Sequence, residues 1–389
     1  MEEFRQNRVR VAQSELRTTD PTMASLLSMQ QLIAKIAKGH KTAKDLTWEE
    51  AKQAMRLIIE GAATPAQIGA FLVAMRFKAE SVTELAAFTA TARQYVPPIP
   101  IPSGVSVVDV PTYAGKQETF HVIVPAAIVA ASAGAVILMH GSEGPPDRRG
   151  TSPILQGLGV PIDLGSQQIG PELEKKGFAY LDLALYHPPV SRYLEMRQEL
   201  GVRNLFHPVA RILNPARAAS QVIGLSHPPY FEKTAEALRM LGARRALILR
   251  GVEGDPELSI AAITRVLELR DERITPTAFH PKDAGLVLGS FRDMAGFPKE
   301  HSEKEAEFVK RLLKNEIQGG PKEWLLLNAA TLLYAAGKGA TISVCLASAR
   351  QALDSGSAAQ KLNDLAGGEA GSSCSSGRRM TVPGVTGAR

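Results

Sequence analysis

The sequence predicts an α/β protein in two parts, a small helical N-terminal domain followed by a large, mostly parallel α/β domain. Three observations carry that expectation. Up to residue 96, apolar residues recur at helical spacing and capping-box signals repeat. A proline-rich stretch then breaks the pattern, because proline removes a backbone donor and fixes φ. Beyond it, short β-rich runs alternate with helical segments, as parallel strands joined by crossover helices require.

Taken in order, residues 1–25 lack the apolar core of a secretory signal and are expected to be a flexible N-terminus. Residues 26–96 are expected to be the helical domain, with hydroxyl N-caps at Thr47, Thr64 and Ser81, each followed three positions later by Glu50, Gln67 or Glu84. Pro65 sits at a first helical position, where its missing N–H loses nothing. The apolar positions Ile58, Ile68, Phe71 and Met75 look like more than one short bundle can bury, so a homodimer through this domain is expected. Residues 97–104 read as a linker and residues 105–366 as the α/β domain. Its strands are expected at 105–110, 136–139, 178–183, 221–225 and 246–250, with helices at 120–133, 302–315, 322–336 and 343–354. Residues 367–389 are rich in Gly, Ser and Arg and are expected to be a disordered tail.

Composition narrows the function classes. With 44% hydrophobic residues, the 389-residue chain easily supplies buried cores. Its net charge of +6 favours an anionic partner. Two cysteines, Cys345 and Cys374, form neither a disulfide framework nor a zinc spacing. No run of about 18 apolar residues exists, so no membrane span is expected and the cytoplasm is the default location. His187, His207, His227 and His280 each precede proline, and their wide separation reads as loop histidines instead of a zinc site.

The stretch from Asp109 to Gly150 carries the most specific information. A strand, a loop (Pro111 to Gln117), an Ala-rich helix opening His121-Val122-Ile123-Val124, and a second strand ending Met139-His140-Gly141-Ser142 follow one another. This frame resembles the nucleoside phosphorylase and anthranilate phosphoribosyltransferase family (glycosyltransferase family 3), whose catalysts read GTGGD, N-x-S-T and KHGN at those three places. The resemblance runs from about residue 26 to 366, includes the helical domain that forms the family's dimer contact, and implies a phosphoribosyltransferase-type fold. It implies a ligand cleft at His140, Gly141, Ser142, His187 and Arg197, the last matching an arginine that faces an aromatic carboxylate in the anthranilate enzyme. It also implies a magnesium position at Asp255 and Glu257, whose other reading, together with Glu253, is a solvated acidic turn.

The departures from the family pattern shape the functional expectation. Ile123 and Val124 cannot donate hydrogen bonds to a pyrophosphate, and the loop holds a single Gly. The phosphoribosyl pyrophosphate site is therefore expected to be vacant, with no cofactor. The gained basic residues Lys116, Arg148, Arg149, Arg192, Arg203 and Arg211 are expected to form an electrostatic groove for nucleic acid, DNA or RNA. The expected function is thus that of a non-catalytic paralogue that binds nucleic acid without sequence preference and does not act as an anthranilate phosphoribosyltransferase. The alternative is an active transferase of tryptophan biosynthesis, with magnesium, or an enzyme using another anionic ligand in the same cleft.

Overall fold

The computed structural model describes residues 27–39, 42–144 and 147–367. The flexible N-terminus and all but the first residue of the expected tail lie outside these. Four helices open the described chain: α1 (Met29–Ile36), α2 (Trp48–Ile59), α3 (Pro65–Lys78) and α4 (Val82–Ala92). Each starts on a hydroxyl N-cap with a complete capping box, at Ser28, Thr47, Thr64 and Ser81. Such caps contribute about 1 kcal/mol apiece by satisfying amides the helix cannot. Glu84 reaches further, accepting from the Leu46 amide at 2.7 Å and pairing with Lys78 at 2.7 Å, so it fixes the α1–α2 connection to α4.

The apolar positions taken as needing a second copy are already satisfied within one chain. Ile58, Ile68, Phe71 and Met75 are all buried, in a core that extends from these helices onto one face of the sheet. That core removes the argument for a homodimer from these apolar faces alone.

The linker remains irregular and packs down: a side chain at Gly170 would strike the Pro100 carbonyl. Seven strands follow, β1 (Val107–Thr112), β2 (Val136–Gly141), β3 (Phe178–Asp182), β4 (Ser220–Gly224), β5 (Arg245–Leu249), β6 (Thr264–Arg270) and β7 (Arg273–Phe279). They lie in the order β3-β2-β1-β4-β5-β6-β7. The first five are parallel, and β6 and β7 add an antiparallel hairpin. Side chains alternate between two cores. Val108, Val110, Ile137 and Met139 face the helices α5 (Ile123–Ser132) and, late in the chain, Gly320–Ala335. Val107, Leu138 and Ile223 face the N-terminal helices. Both faces are thus covered, as a parallel sheet needs.

Chain order reverses beside β1: β2 and β3 extend the sheet one way, β4 and β5 the other. The carboxyl ends of strands flanking such a switch leave a crevice, where ligands of open α/β sheets bind. No helix among the described residues is long and apolar enough to cross a membrane.

Candidate active site

The crevice is a cleft of about 490 Å³ whose walls come from distant parts of the chain. Arg76 on α3 supplies the helical side; Gln117 and Glu118 follow β1, Arg148 follows β2, Ser226 and His227 follow β4, and Glu253 follows β5. Arg203, Asn204, His207 and Arg211 complete it from the segment ending in the short helix Phe206–Arg211.

On the loop side, charge is satisfied internally. Lys116 and Arg149 join their two loops through reciprocal backbone bonds of 2.8 and 3.0 Å. The Lys116 ammonium is fully buried; it donates to Thr119 Oγ1 at 3.1 Å and the Phe120 carbonyl at 2.9 Å, and pairs with Glu257. Glu257 also accepts from the Ile123 amide at 3.1 Å. Burial pushes its carboxyl up to about 7, against the pull of Lys116. Arg149 is similarly buried against Glu305, whose other oxygen accepts from the His121 amide at 2.7 Å and faces His121 Nδ1 at 2.8 Å. Burial raises the Glu305 carboxyl, but His121 and Arg149 outweigh it and hold the group below the ordinary range. Lys116 and Arg149 are therefore interior clamps, not exposed groove cations, because burying either charge without a partner would be prohibitive.

Glu253 completes this side. Its carboxylate accepts from three successive backbone amides, Gln117 at 2.9 Å, Glu118 at 3.2 Å and Thr119 at 2.8 Å, and from the Thr119 hydroxyl at 2.7 Å. Burial raises this carboxyl too, but the donors more than reverse it. Glu253 has a left-handed backbone, φ 54°, a conformation that costs a side-chain-bearing residue about 1 kcal/mol or more. The expectation of a solvated acidic turn fails here: Asp255 and Glu257 are buried and Glu253 is held by its neighbours.

The opposite side is different. Arg76 and Arg203 have no carboxylate within ion-pair distance among the described residues, and Arg148 has only Asp147 at 3.8 Å. Burial lowers the Arg203 guanidinium, and repulsion from Arg197, Arg148 and Arg76 lowers it further. His207 is pushed down to about 3 by burial and then by Arg203, so it is neutral at pH 7. Arg211 is a tether: buried, it donates to the carbonyls of Gly224 and, at 2.7 Å, Gly254. Arg192 is exposed on its helix, 5.8 Å from the Tyr193 ring centre and away from the cleft walls. Of the six groove residues expected, Arg148, Arg203 and Arg211 line the cleft, and of these only Arg203 lacks a partner among the described residues: Arg148 donates to the Gly115 carbonyl at 3.3 Å and Arg211 to those of Gly224 and Gly254.

A buried polar cluster surrounds His140, near the carboxyl end of β2. His140 Nε2 sits 3.0 Å from the Asp109 carboxylate, and its Nδ1 lies 2.9 Å from the Tyr113 hydroxyl and 3.1 Å from that of Tyr186. Burial keeps both phenols well above their ordinary pKa, hence neutral. His140 is thus wholly buried and is not among the residues that line the cleft, contrary to the expectation of a ligand-cleft residue. Gly141 beside it permits close packing, since a β-carbon there would meet Thr112 Oγ1 at 2.5 Å. Ser142 is half-buried in the next loop, and Arg197 is near enough to repel Arg203; neither lines the cleft. His187 is not a ligand-cleft residue: Nε2 donates to the Ala92 carbonyl at 2.9 Å while the ring caps the helix Pro188–Glu195. Arg76 and Tyr230 were not singled out from sequence; nothing local marks a helix arginine as facing a cleft.

The expected magnesium position does not form a two-carboxylate seat. Glu257 is committed to the Lys116 ammonium, leaving Asp255, whose two buried oxygens have no hydrogen-bond partner. Magnesium needs several oxygens in near-octahedral array. No cluster of three or more potential metal-ligating side chains occurs among the described residues.

Sequence profiles described as "Glycosyl transferase family, helical bundle domain" and "Glycosyl transferase family, a/b domain" match residues 30–96 and 105–359. The chain is 34% identical over 337 residues to an anthranilate phosphoribosyltransferase of Anaeromyxobacter sp. (strain K), covering 87% of this chain and 97% of that one. It is 35% identical over 338 residues to that of Geobacillus kaustophilus, with the same coverage of both chains. Among solved structures, anthranilate phosphoribosyltransferase from Thermus thermophilus superposes with a TM-score of 0.77 at 29% identity, over 87% of this chain and 98% of that one. The Saccharomyces cerevisiae enzyme in complex with PRPP and Mg gives a TM-score of 0.75 at 18% identity, covering 87% and 97% of the two chains. These relatives overturn the expectation of a nucleic-acid-binding paralogue with a degraded site: the similarity spans both domains and favours the transferase alternative.

Proposed function

The chain belongs to the glycosyl transferase family whose helical-bundle and a/b domains it carries, and from that premise we propose that it is a phosphoribosyltransferase-type enzyme. It transfers a phosphorylated ribosyl group to the amine of a carboxylate-bearing acceptor such as anthranilate. A bond from the sugar's anomeric carbon to pyrophosphate oxygen breaks, a bond to the acceptor nitrogen forms, and the amine loses a proton. The observation that carries this reading is the convergence of Arg76, Arg148 and Arg203 on one cleft at the sheet's switch point. Both partners of such a reaction are anionic, and preorganised guanidinium groups hold carboxylate and phosphate oxygens without reorganising. Neutral His207 adds shape and a polar edge without adding charge. Magnesium, when bound with the donor, would supply charge neutralisation on the phosphates.

The test is a steady-state assay of the full chain with phosphoribosyl pyrophosphate, magnesium and anthranilate. Turnover is expected, with Arg203→Ala lowering kcat/KM by roughly 10- to 100-fold, the equivalent of one charge-assisted hydrogen bond of about 1.5–3 kcal/mol. Absence of turnover by the folded, unmodified chain overturns the assignment.

A further inference from the structure

We propose that Glu253 is a built-in stand-in for a ligand phosphate: its carboxylate closes the amide nest of residues 117–119 until an incoming phosphate or pyrophosphate displaces it. This inference rests on the reading of the cleft as an anion site and adds to it a gate. Three independent observations support it.

The first is the donor set. Three consecutive backbone amides and one hydroxyl aim at the two oxygens of a single carboxylate, at 2.7 to 3.2 Å. Successive amides turned to one point form an anion-binding nest, and a phosphate presents oxygens to it as well as a carboxylate does. The second is the backbone. Glu253 has φ 54° and ψ 12°, between Gly251 and a Gly254 at φ 93°, so its delivery to the nest uses a conformation that side-chain-bearing residues rarely adopt. Release of the carboxylate lets that backbone relax. The third is the setting. Gln117, Glu118 and Glu253 line the same cleft as Arg148 and Arg203, and Arg203, with no carboxylate in ion-pair range among the described residues, draws an anion toward the nest. Arg211 holds the Gly254 carbonyl at 2.7 Å and so fixes the hinge about which Glu253 can leave.

A carboxylate that must leave reduces apparent affinity by the fraction of molecules in which the nest is open. Removing it removes that competition. The experiment is calorimetric titration of the full chain with inorganic pyrophosphate, without metal, for the natural sequence, Glu253→Ala and Glu253→Gln. It is accompanied by amide chemical shifts of Gln117, Glu118 and Thr119. Glu253→Ala is expected to bind about tenfold more tightly, which corresponds to a nest open in roughly one molecule in ten. Glu253→Gln, uncharged but of equal size, is expected to fall between, and serves alone if the alanine variant fails to fold. The three amides are expected to shift on titration.

Unchanged or weaker binding in the folded variants overturns the gate. If pyrophosphate still binds the natural chain and Arg203→Ala abolishes it, the anion cleft stands and only the gate is lost. If no chain binds pyrophosphate, both fall. Tighter binding with no shift at the three amides also overturns it, because the anion then sits elsewhere.

Discussion

The two sides of the cleft solve the same electrostatic problem in opposite ways. On the loop side, Lys116 meets Glu257, Arg149 meets Glu305, and the amides of residues 117–119 meet Glu253, so the protein is its own ligand. On the arginine side, Arg76 and Arg203 face the cavity with no carboxylate in range among the described residues. The difference teaches where stability and where binding reside. Charges paired in the interior set the loops' shape, and removing one leaves its partner stranded. Charges left unpaired at the cavity are available to a substrate, and removing one leaves the fold alone.

The sharpest way to break this contrast is Lys116→Met. The lysine is wholly buried, and so is Glu257, so deleting the ammonium strands a carboxylate in the core. A loss of about 3–5 kcal/mol is expected, the range for breaking one half of a buried pair. Denaturant unfolding measures it. The double variant Lys116→Met with Glu257→Gln is expected to lose less than the single, because the stranded charge is gone. Equal losses would show that the ammonium acts through packing against Trp324, whose ring centre lies 5.0 Å away, and not through charge.

A smaller effect separates the sides by pH. His207 titrates near 3 in the folded chain, below its ordinary 6.5, because burial and Arg203 disfavour the imidazolium. Between those values the unfolded chain binds a proton that the folded chain refuses. Stability therefore rises with pH across that window and is lost as pH falls below about 6.5. His207→Asn isolates this contribution. Unfolding free energies at pH 7 and pH 5 should differ less in the variant than in the natural chain, by about 2 kcal/mol. An undiminished pH dependence would mean that the folded cleft already accepts the proton.

How much of this was legible in the sequence follows from the range of each interaction. The capping boxes at Thr47, Thr64 and Ser81 span three positions and were readable as written. The parallel strands were readable within two residues, because buried β-rich runs are local signals. The β6–β7 hairpin was not, since its turn uses Asp271 and Glu272 with φ of 48° and 66°, where a Gly would normally announce it. At the site, the basic residues were visible but their partners were not: Lys116 finds Glu257 141 positions away, and Arg149 finds Glu305 156 positions away. A lysine with a distant buried partner and a lysine on an open groove look the same in sequence. That is why the nucleic-acid expectation arose and why the fold dissolves it.

The smallest expected effect sharpens the comparison from outside it. Arg192 resembles Arg203 in sequence, eleven residues upstream in the same basic segment, yet it is exposed and touches only the Tyr193 ring at 5.8 Å. An exposed cation–π contact at that distance is worth at most about 0.5–1 kcal/mol, and the stem can be replaced by water without stranding any buried group. Arg192→Ala should therefore leave unfolding within about 0.5 kcal/mol of the natural chain and leave kcat/KM unchanged. Measured beside Arg203→Ala in the same assay, it distinguishes charge placed in the cleft from charge merely carried near it. A loss in Arg192→Ala comparable to that in Arg203→Ala would mean that the cleft senses the field of the whole basic segment. Binding would then depend steeply on salt, because exposed charges act at range only while unscreened.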